Sequence, residues 1–319
     1  MAVYVNTNYS ALQGQRYLGN VQNQLTTTYQ RLSSGMRINS AKDDAAGLQI
    51  ADRLTSQING LNQGNRNASD GIALAQTMEA GMDEISGMLQ KVRTLAVQAN
   101  NGTNTSDDRR AIGKEMEALV NEVNRIAQKT TFAGKTILNG EIAGSIFGDP
   151  ANKGGGNAGP AGATGTLTLQ VGSNKGDTIS FTADSVMFSK IGSGDLMGDA
   201  AGKVFKTSAD GTITVTLTKA ATDASDTSIS AIINLMDSMI SKVDGARADL
   251  GALQNRLESS IRNQSNVAAN EADARSRIRD ADFAEESANL SQQSIIQQAA
   301  ASMLMQANTR PQLGLSLLG

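Results

Sequence analysis

The 319-residue chain contains no cysteine, no histidine and no tryptophan, and only three prolines. Without histidine or cysteine it lacks the usual zinc ligands, an imidazole for general acid–base catalysis and a nucleophilic thiol. The carboxylate pairs Asp43–Asp44 and Asp107–Asp108 are adjacent residues at predicted helix starts. Such positions favour helix capping over an acid–base pair. The sequence therefore predicts a protein that is not an enzyme and that holds no cofactor and no metal.

A strong charge and long hydrophobic runs are also lacking. The formal net charge is −3 and the isoelectric point is near 5.2, so electrostatics favours neither nucleic acid nor an anionic membrane. No apolar run reaches the length of about 18 residues that a membrane-spanning helix needs. The amino-terminal residues lack the basic and apolar regions of a signal peptide. We expect no nucleic-acid partner, no membrane partner, and export by a route that does not read such a signal.

Apolar residues spaced three and four apart are abundant. They form one stripe along a predicted helix over residues 44–100, which would be about 85 Å long. A second long stripe covers residues 229–272, and a shorter helix with the same spacing opens at Ser106. Helices of this length need partners along their whole length, so we expect the two long helices to pack side by side. The first stripe comprises Ile50, Leu54, Leu61, Ala68, Ala75, Met78, Met82, Ile85, Leu89, Val92, Ala96 and Ala99.

The centre of the chain has a different periodicity. GTLTLQV (165–171) and DTISFTA (177–183) alternate apolar and polar residues around a turn, which predicts a β-hairpin, and ITVTLT (213–218) predicts a further strand. The flanking segments 141–164 and 191–222 contain glycine-rich stretches. We expect these two segments to be short, solvent-exposed outer parts of the protein.

The two ends of the chain have only sparse apolar stripes. In residues 1–35 and 283–319, glycine or glutamine interrupts the pattern, so neither end should hold a helix alone in water. The amino-terminal stripe consists of Leu12, Leu18, Val21, Leu25 and Leu32. We therefore predict a mainly α fold, in which long coiled-coil helical rods from both chain ends flank a small β-rich central region. Ser40 is expected to cap the first long helix.

Four blocks of the sequence, in the same order, resemble bacterial flagellin. They are QRLSSGMRINSAKDDAAGLQIADRL (30–54), LQKVRTLAVQAN (89–100), RADLGALQNRLESSI (247–261) and ARSRIRDADFAEESANLSQQSIIQQAAASMLMQAN (274–308). The resemblance covers nearly all of residues 1–139 and 229–319. It implies a secreted structural subunit that self-assembles, as a homopolymer, into the helical filament of the bacterial flagellum for swimming motility.

The resemblance also implies discontinuous domains and a set of partners. Residues 1–43 with 280–319 would form the filament inner core. Residues 44–190 with 223–279 would form the coiled-coil rod with its β-hairpin, and 141–164 with 191–222 the outer segments. The implied partners are other copies of the chain, the flagellar export apparatus and its chaperone, the filament cap and the hook–filament junction proteins. The implied location is the extracellular flagellar filament.

Two alternative functions stay open from the sequence. One is a hook–filament junction protein, and the other is a secreted coiled-coil adaptor that does not polymerise. An adaptor has little use for two weak apolar ends that must meet each other. The block at 30–54 favours flagellin over the junction protein.

Two groups of site residues follow from the resemblance. A vertebrate Toll-like receptor would contact the flank of the paired helices at Lys91, Arg93, Leu95 and Glu115. The family usually has arginine at position 91, and the two cations are not equivalent in bidentate contacts. The alternative is that Leu95 is simply helix surface or part of the apolar stripe. O-linked sugars on the central hydroxyls would be carried by Ser173, Thr178, Ser185 and Ser189.

Overall fold

The computed structural model describes residues 7–140, 144–148, 165–191, 204–207, 212–217 and 227–316. Helices dominate these ranges, which confirms the mainly α fold. They are α1 (Tyr9–Ser34), α2 (Ala45–Ala99), α3 (Ser106–Lys129), α4 (Phe188–Ile191), α5 (Thr227–Arg279) and α6 (Phe283–Ser316). The strands are β1 (Thr131–Phe132), β2 (Lys135–Thr136), β3 (Gly165–Gln170), β4 (Thr178–Ala183), β5 (Phe205–Thr207) and β6 (Ile213–Val215).

Each strand pairs with its neighbour in sequence. The antiparallel pairs are β1 with β2, β3 with β4, and β5 with β6. The chain divides into two compact units, Met1–Asn59 with Asn266–Gly319 and Gly60–Ser265. Both long helices run through both units. In the ranges described, no helix is long and apolar enough to cross a membrane.

The start of α2 differs from the expectation. Asp44 caps this helix, because its Oδ1 accepts a hydrogen bond from the Gly47 amide at 2.9 Å. Ser40 instead donates to Asp43 Oδ2 from its amide at 2.9 Å and from its hydroxyl at 3.0 Å. These bonds, the backbone one first, lower the pKa of the Asp43 carboxyl. The prediction of Ser40 as the cap was wrong, because Asp44 stands directly before the first helical residue.

The core of the unit Gly60–Ser265 lies along the apolar stripe of α2. The stripe is buried at Leu61 and from Ala68 through Ala99, whereas Ile50, in the other unit, is exposed. The facing helix α5 contributes Ile232, Met236, Val243, Leu250 and Leu257, and α3 contributes Met116 and Val123. In this unit the two long helices therefore pack side by side, as their apolar stripes predicted.

Polar contacts fix α2 and α5 in an antiparallel register. Arg93 binds the Asp237 carboxylate with its Nε and Nη2, and Arg247 Nη2 lies 3.0 Å from Asp83 Oδ1. Gln254 Nε2 donates to Glu79 Oε2 at 3.0 Å. As the residue numbers increase along α2, the numbers of their partners on α5 decrease, so the two helices run in opposite directions.

The outer segments are not exposed at every residue that the structure describes: Lys206 and Thr214 are exposed, but several apolar side chains are buried. Within 191–222, the side chains of Ile191, Val204, Phe205, Ile213 and Leu217 are buried in the core cluster. Within 141–164, Ser145 and Phe147 are buried, while residues 149–164 lie outside the described ranges. The apolar residues here are few and interleaved with glycine, so the sequence shows a loop composition although the described side chains of Phe147, Val204, Phe205, Ile213 and Leu217 pack inward.

Side chains of α3 hold the strand β6 in place. Asn121 Nδ2 donates to the Ile213 carbonyl at 3.1 Å, and Asn121 Oδ1 accepts from the Ile213 amide at 2.9 Å. One turn earlier, Glu117 Oε2 accepts from the Val215 amide at 3.2 Å. These three bonds satisfy backbone groups of β6 that its partner strand does not. Strand β6 is shorter than the predicted 213–218, and its partner β5 was not predicted.

Candidate assembly surface

Helices α1 and α6 form an antiparallel pair with a thin apolar interface. The interface buries Val21 and Leu25 from α1 and Ala300 from α6. Gly14 leaves room for Leu304, whose Cδ1 would lie 3.2 Å from a Cβ at position 14. Asn8 caps α1 through the Ala11 amide and also donates to the Ala307 carbonyl at 2.7 Å.

A polar cluster at the other end of the pair fixes its register. Arg31 Nη1 lies 3.1 Å from Glu286 Oε1, and the exposed fractions of these side chains are 32% and 9%. One turn further, the hydroxyl of the buried Thr28 donates to Gln293 Oε1 at 3.3 Å. Polar pairs buried in an otherwise apolar helix interface specify alignment, because a shifted register leaves them without partners.

The two connectors beside this cluster are also hydrogen bonded. The Arg37 amide donates to the Arg279 carbonyl at 2.7 Å, and the Ala281 amide donates to the Gly35 carbonyl at 3.0 Å. Gly35 ends α1 in the left-handed conformation, with φ of 70°. Arg275 and Arg277 bind Thr55 and Asp273. The arginine-rich end of α5 therefore lies at a helix junction.

The α1–α6 pair leaves many large apolar side chains uncovered. Leu12, which the stripe predicted at the interface, is exposed, because it lies off the row formed by Gly14, Val21 and Leu25. Exposed apolar surface rimmed by polar residues is characteristic of protein–protein contacts. We call these side chains the end-helix apolar set: Tyr9, Leu12, Tyr17, Tyr29, Phe283, Ile295, Met303 and Met305.

The residues implied for receptor contact lie on two helices of the unit Gly60–Ser265. Lys91 on α2 and Glu115 on α3 are exposed. Leu95 is half-buried and packs against the core cluster. Arg93 is engaged with Asp237, and this hydrogen-bonded carboxylate raises the pKa of the guanidinium. Receptor contact at these residues stays a prediction.

The hydroxyls implied for glycosylation have different environments. Thr178 is exposed, while Ser173 and Ser189 are half-buried. Ser185 is 6% exposed, and its Oγ has no hydrogen-bond partner in the part of the chain that the structure describes. A modifying enzyme cannot reach Ser185 in this fold. Glycosylation of the other three residues stays a prediction.

The described ranges contain no cluster of acidic side chains that could hold a metal ion. An open groove runs between β4 and α5, with Phe181, Ser185 and Arg256 among its lining. The described groups in it form no arrangement of a nucleophile, a base and a charge-stabilising donor. The arrangement that distinguishes this chain is therefore the end-helix apolar set.

Comparison with known proteins identifies the family. Residues 5–143 match the bacterial flagellin N-terminal helical region, and residues 233–318 match the bacterial flagellin C-terminal helical region. The chain is 35% identical over 394 residues to polar flagellin C of Vibrio parahaemolyticus, with 100% of both chains covered. It is 38% identical over 378 residues to flagellin A of Vibrio anguillarum, again with 100% of both chains covered.

A solved structure shares the fold. A protein of Vibrio parahaemolyticus described as flagellar hook-associated is 15% identical, with a TM-score of 0.54 over 75% of this chain and 100% of that one. Identity at this level shows the fold alone, so it gives no support to the junction-protein alternative. Because the family match covers both helical ends and the related flagellins align over their full length, the chain belongs to the bacterial flagellin family and is a structural filament protein, not an enzyme.

Proposed function

We propose that this filament subunit is exported from the cell and joins extracellular filaments through the end-helix apolar set. The observation that carries the proposal is the contrast within the α1–α6 pair. Its interface buries few large apolar side chains, whereas Tyr17, Tyr29 and Ile295 point away from it and are exposed. Copies packed around this pair would bury those side chains, and the residues 1–43 with 280–319 would then form the inner core of the filament.

Assembly would also supply the stability that the pair lacks alone. Isolated helices are marginal in water, and ordering each residue costs roughly 1–2 kcal/mol of conformational entropy. Burial of a large apolar side chain returns about 1.5–3 kcal/mol. The free energy of folding is therefore favourable for a pair that is packed among neighbouring copies, but not for a single pair. Folding of the ends becomes coupled to polymerisation, and the unassembled ends stay easy to unfold.

This coupling supports the implied export partners. A chain end that unfolds readily can be threaded through the flagellar export apparatus, and a chaperone can cover its apolar side chains before export. The filament cap would then receive the ends as they fold, and the hook–filament junction proteins would offer the first matching helix pairs. Each of these partners remains part of the proposal.

Deletion of residues 283–319 tests the proposal. We expect a soluble monomer that keeps most of its helix signal by circular dichroism and forms no filaments by electron microscopy. Tyr17→Asp and Ile295→Asp are subtler variants, because both side chains are exposed and no packing within the monomer is lost. Gln22→Asp, at an exposed polar position of α1, is the matched control and should still polymerise. Abundant filaments from the deleted chain would contradict the role of the ends.

We also propose recognition by a vertebrate Toll-like receptor at Lys91, Arg93, Leu95 and Glu115. The exposure of Lys91 and Glu115 on neighbouring helices of one unit favours this second role. Receptor activation in reporter cells by Lys91→Ala and Glu115→Ala would be compared with Lys114→Ala, an exposed neighbour. Equal activation by all three variants would exclude the first two residues from the contact.

A further inference from the structure

The methionines of this chain fall into distinct environments. Met78, Met82, Met116, Met236 and Met239 are fully buried in the core of the unit Gly60–Ser265. Met36, Met88 and Met187 are half-buried. Met303 and Met305 on α6 are 70% and 66% exposed. Because the chain has no cysteine, these two methionines are the most exposed sulfur-containing side chains among the described residues.

Met303 and Met305 border the face of α6 that contacts α1. Each is one residue away from Leu304, which fills the space beside Gly14. Successive residues of an α-helix are rotated by about 100°, so the two methionines flank Leu304 on opposite sides of the helix. Neighbouring copies that pack on both sides of the α1–α6 pair would therefore contact one of these methionines on each side of α6.

We propose that Met303 and Met305 are an oxidative modification site, at which a hydroperoxide blocks the subunit before it assembles. In each reaction a thioether lone pair attacks one oxygen of hydrogen peroxide, the O–O bond breaks, and the transferred oxygen gives its proton to the departing hydroxide. The sulfur is oxidised by two electrons to the sulfoxide, and hydrogen peroxide is reduced to water. The inference rests on the proposed function, because burial of this face occurs only in the filament.

The sulfoxide changes the contact without adding charge. A flexible apolar side chain becomes polar and chiral, with a strong hydrogen-bond acceptor. Burial of such an acceptor without a donor weakens each subunit contact by about tenfold or more. Oxidation of the free subunit should therefore raise the critical concentration for assembly by at least about tenfold. Oxidant added after assembly should reach these side chains far more slowly.

The first experiment maps oxidation and assembly in one sample of the full chain. Monomers are treated with dilute hydrogen peroxide, quenched, digested and analysed by mass spectrometry residue by residue. Met303 and Met305 should oxidise first and the buried core methionines last. The untreated monomer must polymerise under the same conditions, since its failure would contradict the proposed function and not the oxidation site.

The second experiment assigns the effect to these residues. The variant Met303→Leu/Met305→Leu should assemble after peroxide treatment as it does before, while the matched control Met88→Leu/Met187→Leu should lose assembly as the parent does. If the first variant fails to assemble at all, methionine sulfoxide reductases of both stereospecificities are applied to oxidised parent chain. Assembly should then return in step with reduction at positions 303 and 305. An unchanged critical concentration after complete oxidation of both residues would overturn the inference, as would equal sensitivity of the leucine variant.

Discussion

Among single residues, the glycines of α2 show most directly what the β-hairpin requires. A Cβ on Gly64 would overlap the carbonyl oxygen of Val171, just beyond β3, and a Cβ on Gly60 would lie 2.7 Å from Ser173 Cβ. The first obstacle is backbone, which cannot rotate away. We therefore expect Gly64→Ala to lower the free energy of unfolding by about 1–3 kcal/mol, measured by urea denaturation.

A matched glycine in the same helix gives the control. Nothing lies within 4 Å of a Cβ on Gly87, which is exposed in the interior of α2. Gly87→Ala should leave the protein as stable or raise its stability by up to about 1 kcal/mol, because alanine loses less backbone entropy in a helix. Equal stability of the two variants would mean that the hairpin does not rest on α2 at Gly64.

Other single-residue features were not predictable from the sequence. The hairpin at 165–183 was predicted from its alternating apolar and polar residues. Its packing against Gly60 and Gly64 was not, because these glycines are about 100 positions away in the chain. Similarly, Asn121 appears in the sequence as one polar residue of a helix, although it forms two hydrogen bonds with Ile213. A local sequence pattern predicts a secondary-structure element, but it does not predict which distant part of the chain that element contacts.

The Arg31–Glu286 pair illustrates how paired helices keep one register. Arg31→Leu would leave a nearly buried carboxylate without its cation. Loss of one partner of a fully buried pair costs roughly 3–5 kcal/mol, and the partial exposure of Arg31 lowers this to about 1–3 kcal/mol. We expect filaments of Arg31→Leu to disassemble at a lower temperature, and the charge exchange Arg31→Glu/Glu286→Arg to recover part of the loss.

The control for this pair is an exposed one on α5. Arg262 and Glu258 are 69% and 54% exposed and 3.7 Å apart, so Arg262→Leu should change the disassembly temperature little. If Arg31→Leu behaved like Arg262→Leu, the cluster would have no role in the register of the α1–α6 pair.

The stripes of α2 and α5 carry the packing of the long helices. Leu89 is fully buried and Leu253 nearly so. Leu89→Asp or Leu253→Asp would bury an unpaired carboxylate, which costs several kcal/mol. Thermal unfolding of the monomer should show a clearly lower midpoint for both variants. Gln90→Asp, at an exposed position next to Leu89, should melt like the parent. An unchanged midpoint for both leucine variants would contradict the stripe assignment.

Long periodic elements were the most predictable part of this fold. The predicted bounds 44–100 lie within a residue of α2, although the cap was assigned to Ser40 and not to Asp44, because the apolar stripe and the Asn100–Asn101–Gly102 run are local signals. In α5, Ile233 and Ile240 fit the three-and-four spacing but are half-buried, whereas the neighbouring Ile232 and Met239 are fully buried. Where apolar residues are adjacent, spacing alone does not decide which one faces the partner.

At the scale of the whole molecule, the candidate site followed from composition more than from any motif. A chain without histidine or cysteine, whose two sparse ends need each other, indicates assembly rather than catalysis. The sequence did not reveal which apolar side chains stay exposed once the ends pair. That distinction depends on the relative rotation of α1 and α6, which contacts such as those of Gly14 with Leu304 determine.

The central segment 183–222 contributes apolar side chains to the core of the unit Gly60–Ser265. The composition of residues 183–222 alone predicts that a short Gly–Ser linker can replace them without loss of filament assembly. The structure places Phe188, Phe205 and Ile213 of this segment in the core, with the rings of Phe188 and Phe205 only 5.0 Å apart. Removal would expose the facing side of α3, and each large side chain contributes about 1.5–3 kcal/mol of burial.

We therefore expect the variant with 183–222 replaced to melt at a much lower temperature and to bind a hydrophobic dye. Replacement of residues 150–163 gives the control, because that stretch contains no leucine, isoleucine, valine, phenylalanine or methionine. Its thermal midpoint should stay close to that of the parent. If the 183–222 replacement instead melted like the control, the apolar side chains of the segment would add nothing to the core. The outer parts of the chain would then be as dispensable as their composition suggests.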